Sequence, residues 1–70
     1  MEYYDLMKII DKEVISAKEL RQITDCELVT EVLDGKPDPR RPKCKKYDLK
    51  LENGEIYYVY VKKGLFGLFN

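Results

Sequence analysis

This sequence of 70 residues has no histidine, no tryptophan, one serine and two cysteines, and each shortage removes a class of chemistry. Without histidine, acid–base and nucleophilic catalysis lose their commonest participant. The one serine, Ser16, stands in a helix-start motif, and no glycine-rich loop lies between a strand and a helix to cradle phosphate. The chain therefore reads as no enzyme. Cys26 and Cys44 are too few for a disulfide framework and, with no histidine, too few for a four-ligand zinc site, so no metal and no cofactor is expected. Both thiols read as small buried hydrophobes. Cys44 lies among Lys43, Lys45 and Lys46, a field that lowers a thiol pKa, but no base accompanies it. No run approaches the roughly 20 apolar residues that span a bilayer, and Glu2 and Asp5 stand where a signal peptide is basic; a cytoplasmic protein with no membrane association is the expectation.

Net charge is missing too: 13 basic residues balance 13 acidic ones, without the basic excess typical of nucleic-acid binders. The balance conceals a division. Residues 1–34 hold nine acids and four bases, a net of −5, and residues 35–70 hold nine bases and four acids, a net of +5. Such a dipole points either to a partner for one pole or to attraction between the halves. At 44% hydrophobic, with six tyrosines and two phenylalanines, the chain is too apolar for disorder and reads as one small domain over 1–70.

The strongest local signal is Asn53-Gly54 between two β-prone runs, a hairpin over residues 46–63. A two-residue type I′ loop sets Leu51 opposite Ile56, Leu49 opposite Tyr58 and Tyr47 opposite Tyr60, an apolar face suited to a core. Lys50, Asp48 and Lys46 then oppose Tyr57, Val59 and Val61. A bulged loop would bring Glu55 opposite Leu51 on the core face, so the two-residue loop is preferred.

In the first half, Tyr3, Leu6, Met7, Ile10 and Val14 recur at three- and four-residue spacings, predicting an amphipathic helix over 3–14. Ser16 and Glu19 form a capping box, and Ile15 with Leu20 a hydrophobic staple, for a second helix over 17–23. Residues 24–35 fork. Thr24 and Glu27 make another capping box, with Gly35 placed to end a helix over 25–34. The β-branched run from Leu28 to Leu33 instead predicts a strand over 27–33, with Leu28, Thr30 and Val32 on one face, pairing with the free edge of the hairpin. The strand is favoured, and the fold class is α+β: two N-terminal helices on a small antiparallel sheet. The helical alternative resembles a winged helix-turn-helix, with 16–23 and 24–34 as the motif helices and Asn53-Gly54 as the wing tip. It departs from that family in carrying Asp25, Glu27, Glu31 and Asp34 where phosphates would lie. A helix followed by three antiparallel strands is also similar to the front of a double-stranded-RNA-binding domain, but the closing basic helix is absent. Neither likeness carries residue roles across.

Three prolines within 37–42 make residues 35–43 a stiff loop, and 64–70 is an apolar tail with two glycines. The second hairpin face, Tyr57, Val59 and Val61, needs a cover: the tail, a second copy of the chain, or a foreign partner. The expected function is a small interaction protein that binds another macromolecule, most simply a protein, through its tyrosine-rich sheet and basic loop, with Arg40, Arg41, Lys43, Tyr57, Val59 and Phe66 in contact. The alternative is a small nucleic-acid-binding protein using Lys36, Arg40, Arg41, Lys43, Lys45 and Lys46 on phosphates, with tyrosines stacking bases.

Overall fold

In a computed structural model that describes residues 1–62, and of Asp34 and Gly35 the backbone only, the first helix ends earlier than its periodicity predicts. Helix α1 spans Tyr3–Ile10 and buries Leu6 and Ile10. The amides of Asp11, Lys12 and Glu13 close its last turn onto the carbonyls of Met7, Ile9 and Ile10. Glu13 then adopts φ 64, a left-handed conformation that costs a non-glycine residue about 1–2 kcal/mol. That reversal turns Val14–Ile15 into strand β1, which runs parallel to the last strand. Its return is the burial of Ile15 at 2% exposure and a 2.7 Å bond from the Tyr60 amide to the Glu13 carbonyl. A helix continued to Val14 would forgo both.

Helix α2, Ala17–Thr24, begins as expected: the Glu19 amide donates to Ser16 Oγ and the Ser16 amide to Glu19 Oε1, each at 3.1 Å. It buries Ile23. The second capping motif goes unused, because Thr24 is the last helical residue and donates its hydroxyl to the Leu20 carbonyl. The fork resolves as strand. Strand β2, Val29–Pro37, pairs antiparallel with β3, Cys44–Leu51, so a helix over 25–34 is excluded. Pairing with an open sheet edge satisfies a whole row of backbone groups, which outweighs the local helix signals.

Strand β2 is irregular in two places. Val29 opposes Leu51 but Glu31 opposes Lys50, leaving Thr30 as a bulge whose hydroxyl donates to the Lys50 carbonyl at 3.1 Å. Leu28, Val29 and Val32 therefore pack against the core, and Thr30, expected beside Leu28 and Val32, is exposed. A second shift falls between Leu33 and Lys36, and the strand continues to Pro37, into the stretch expected to be loop. Proline is tolerated there because β2 is the edge of the sheet, whose order is β1-β4-β3-β2. With β1 parallel to β4, Ile56–Lys62, the sheet is mixed rather than purely antiparallel.

The hairpin β3–β4 forms one residue out of the expected register. Lys50 opposes Ile56, Leu49 opposes Tyr57, Asp48 opposes Tyr58 and Tyr47 opposes Val59. The Gly54 amide bonds to the Leu51 carbonyl and the Leu51 amide to the Glu55 carbonyl, closing a three-residue loop. Gly54 alone of the loop has positive φ, at 89, as in a tight turn followed by a left-handed residue and unlike type I′. Glu55, the reason to disfavour this register, sits at the exposed rim, where the Tyr3 hydroxyl and Asn53 Nδ2 donate to its carboxylate at 2.8 and 2.6 Å. One residue of slip exchanges the two faces. Val59 and Val61 are wholly buried with Leu49, Leu51, Leu6, Ile10, Ile15 and Ile23, and Tyr57 packs against them. Valines beneath helices bury no polar atom, whereas Tyr58 and Tyr60 there would need partners for two hydroxyls. The face expected to need the tail, a second copy or a foreign partner as its cover is covered by α1 and α2; residues 64–70 lie outside the described residues.

An added Cβ at Gly54 meets nothing within 4 Å, so substitution there reports backbone strain alone. Gly54→Ala should lower the unfolding free energy by about 1 kcal/mol. Asn53→Ala should lose only its side-chain bonds to Glu55 and leave the register intact. Urea midpoints and cross-strand NOEs between Leu49 and Tyr57 check both.

Candidate interaction face

With the helices on one side, the other side of the sheet presents three rows set by the ladder: Glu31–Lys50–Ile56, Leu33–Asp48–Tyr58 and Lys36–Lys46–Tyr60. Ile56 is 68% exposed, Leu33 49% and Tyr58 46%. These are large apolar side chains on one face of a small domain. Around them stand Lys36, Lys50 and Lys62, all exposed. The ion pairs among the described residues are Lys12–Glu19 and Arg41–Glu13, so none of these three lysines is neutralised by contact.

The segment 38–43 folds back over the Tyr60 end of this face. Tyr60 donates its hydroxyl to Asp38 Oδ2 at 2.7 Å. The Arg41 guanidinium lies 5.0 Å from the Tyr60 ring centroid and also meets Glu13 Oε2 at 3.2 Å. The Arg40 amide donates to Asp38 Oδ1 and the Arg41 amide to the Asp38 carbonyl, both at 2.9 Å. Next in line, the Tyr58 ring meets Tyr60 edge-on, centroids 5.7 Å apart, and Lys46 Nζ sits 4.5 Å from the Tyr58 centroid. Cation, ring, ring and cation form one continuous row. Tyr60 is only 6% exposed beneath Arg41. Tyr58 keeps its outer edge free.

The expected contact residues divide accordingly. Arg40 and Lys43 are exposed on the loop. Arg41 is engaged in holding the loop to the sheet. Tyr57 and Val59 do not belong to this face: Val59 is fully buried, and Tyr57 is half-buried on the helical side, its hydroxyl 3.5 Å from that of Tyr3. Phe66 lies outside the described residues. Of the phosphate-binding alternatives, Lys36 and Lys46 share the open face, whereas Lys45 pairs with Val61 and so belongs to the helix side. Leu33, Lys50, Ile56 and Tyr58 belong to the face and were not singled out. The signal that could have found them is the valine content of the 57–61 face, which suits a thin core better than tyrosine does.

Hollows lie beside this face and on the helical side. One of about 360 Å³ between β2 and the loop is lined by Leu33, Lys36, Pro37, Asp38, Lys46 and Asp48. A larger one, about 780 Å³, opens between α1 and the α2–β2 turn, where Asp5, Asp25 and Glu27 stand with Lys8 and Lys12, the last of them paired with Glu19. Among the described residues no three His, Cys, Asp or Glu side chains gather to hold a metal, and both cysteines are free and buried.

The Tyr60 hydroxyl bond, with the Arg40 amide after it, holds the Asp38 carboxyl below the usual range, and Asp38 in turn raises the Tyr60 phenol. Bonds from Tyr3, then Asn53 and Tyr57, lower Glu55, while Tyr3 and Glu55 raise Tyr57 well above an ordinary phenol. Lowered carboxyls stabilise the fold above their ordinary pKa near 4, and that stability is lost as pH falls through the depressed values. Raised phenols act in the opposite sense: their contribution is complete below about pH 10 and lost as pH rises through the elevated values. Tyrosinate absorbance at 295 nm should therefore show two phenols, Tyr57 and Tyr60, ionising above the ordinary range of about pH 10. Tyr60→Phe should remove one late phenol and raise the Asp38 carboxyl toward the ordinary range, the Arg40 amide still holding it somewhat below, measured by carboxyl ¹³C shifts.

No protein-family model matches this chain, and neither does any curated protein or any solved structure.

Proposed function

We propose that this protein is a non-enzymatic interaction module that binds another protein through the open face of its sheet. The observation that carries the reading is the exposure of Leu33, Ile56 and Tyr58 on one face, among lysines that form no ion pair with the described residues. Single apolar residues are ordinary on a protein surface, but Ile56 beside Tyr58, with Leu33 across Asp48 from them, on one polar-rimmed face has the anatomy of a contact site. Tyrosine and isoleucine there contribute contact area with little side-chain freedom to lose. The loop 38–43 bounds one end, with Arg40 and Lys43 available to the same partner.

A second reading, nucleic acid, gains from the register that turns Tyr58 outward beside Lys46. Against it, Arg41 roofs Tyr60, and Glu31 and Asp48 lie on the same face. Binding to random DNA or RNA should then be weak, about 10⁻⁴ to 10⁻⁶ M near physiological salt, and should fall steeply with added salt. Submicromolar binding, measured by fluorescence anisotropy, would favour the second reading.

Ile56→Asp and Tyr58→Ala should leave the thermal midpoint nearly unchanged, whereas Val59→Ala should cost about 2 kcal/mol or more through lost burial and a cavity. A photo-crosslinking residue at position 56, in the cell of origin, should form a discrete protein adduct that Tyr58→Ala abolishes. The same probe at Lys18, exposed on α2, should not. Equal adducts from both positions would refute the face as the contact.

A further inference from the structure

The chemistry of the face narrows what it receives. Lys36 and Lys46 stand directly opposite each other across β2 and β3, a like-charge pairing that weakens a sheet and that Asp38 and Asp48, which line the same hollow, offset in part. Lys46 leans away, over Tyr58, and Lys36 has no ion pair among the described residues. One row further, Lys50 flanks Ile56. Exposed Ile56 and Tyr58 on β4, with Leu33 across Asp48 on β2, thus share the face with Lys36, Lys46 and Lys50 of β2 and β3, and with Glu31 and Asp48 as acids of that face.

We propose that the occupant is an acidic polypeptide segment of another protein, with bulky apolar side chains along one side and carboxylates along the other. This proposal rests on the interaction-face reading above. The apolar side would cover Ile56, Tyr58 and Leu33, and the carboxylates would reach Lys50, Lys46 and Lys36, relieving the opposed lysines. Charge complementarity of this kind selects partners and raises association rates. A second copy meeting this face with its own would bring lysines against lysines. A nucleic-acid strand would find one available ring and two carboxylates. Strand addition at the sheet edge is also disfavoured, because β2 carries two register breaks and ends at Pro37. The segment therefore docks by its side chains on the face.

The test is a ¹⁵N amide titration of the full chain with three probes at physiological salt: a 16-residue amphipathic peptide of Leu, Phe, Glu and Asp; its counterpart with Lys for every acid; and a 12-residue oligo-dT. The acidic peptide should shift the amides of Leu33, Lys46, Ile56 and Tyr58 and spare those of α1. The double reversal Lys36→Glu with Lys50→Glu, both exposed, should keep the amide dispersion and weaken the acidic peptide about tenfold, since each lost pair becomes a repulsion. Equal or tighter binding of the lysine peptide on the same amides would overturn the acidic assignment while leaving the interaction face standing. Tighter binding of oligo-dT would replace the occupant with nucleic acid. Concentration-dependent shifts of these amides without any probe would replace it with a second copy. If no probe moves them, the acidic-segment assignment falls, and the crosslink from position 56 decides the interaction face separately.

Discussion

The inward and outward assignments of β4 depend on the backbone of Gly54. Its φ of 89 closes a three-residue loop, and that loop length sets which residue of β4 faces which residue of β3. Because side chains alternate along a strand, one residue of slip would exchange Val59 and Val61 for Tyr58 and Tyr60 beneath the helices. The observed choice puts small branched side chains in the narrow space between layers. Tyr58 and Tyr60 are left on the open face, Tyr58 exposed and Tyr60 donating its hydroxyl to Asp38.

A second constraint follows from the first. Once Tyr60 faces outward, it becomes the anchor for the proline-rich loop: Asp38 receives its hydroxyl, Arg41 covers its ring, and Glu13 holds Arg41. The strained turn at Glu13 thereby serves two ends. Its carbonyl accepts from the Tyr60 amide, and its carboxylate meets the loop from the other side of the same strand. Loop, β1 and β4 are tied at one residue, so the basic loop is a supported edge of the face.

The division of charge along the chain becomes a division between two sides. Exposed Glu2, Asp5, Asp11, Asp25 and Glu27 belong to the helical layer or its connections, whereas Lys36, Lys46, Lys50 and Lys62 belong to the open face of the sheet. Arg41–Glu13 is the ion pair that joins the halves among the described residues. The dipole therefore remains available to the surroundings, which is why we assign the face an acidic partner.

Local chemistry was legible in the sequence wherever a few neighbouring residues complete a motif. The capping box of Ser16 and Glu19 starts α2 where its spacing says, Asn53-Gly54 marks a hairpin, and the class is α+β. The rest required tertiary context. Val14 continues a helical spacing, yet it joins a strand, because a sheet edge was there to be paired. Thr24 and Glu27 spell a helix start, yet β3 recruits the following residues into a ladder. Above all, a two-residue and a three-residue loop differ locally by about the conformational preference of one asparagine. The choice between them was made by what the helices could bury, valines without polar atoms or tyrosines with hydroxyls to satisfy, and with it the choice of which side chains of β4 the open face of the sheet presents.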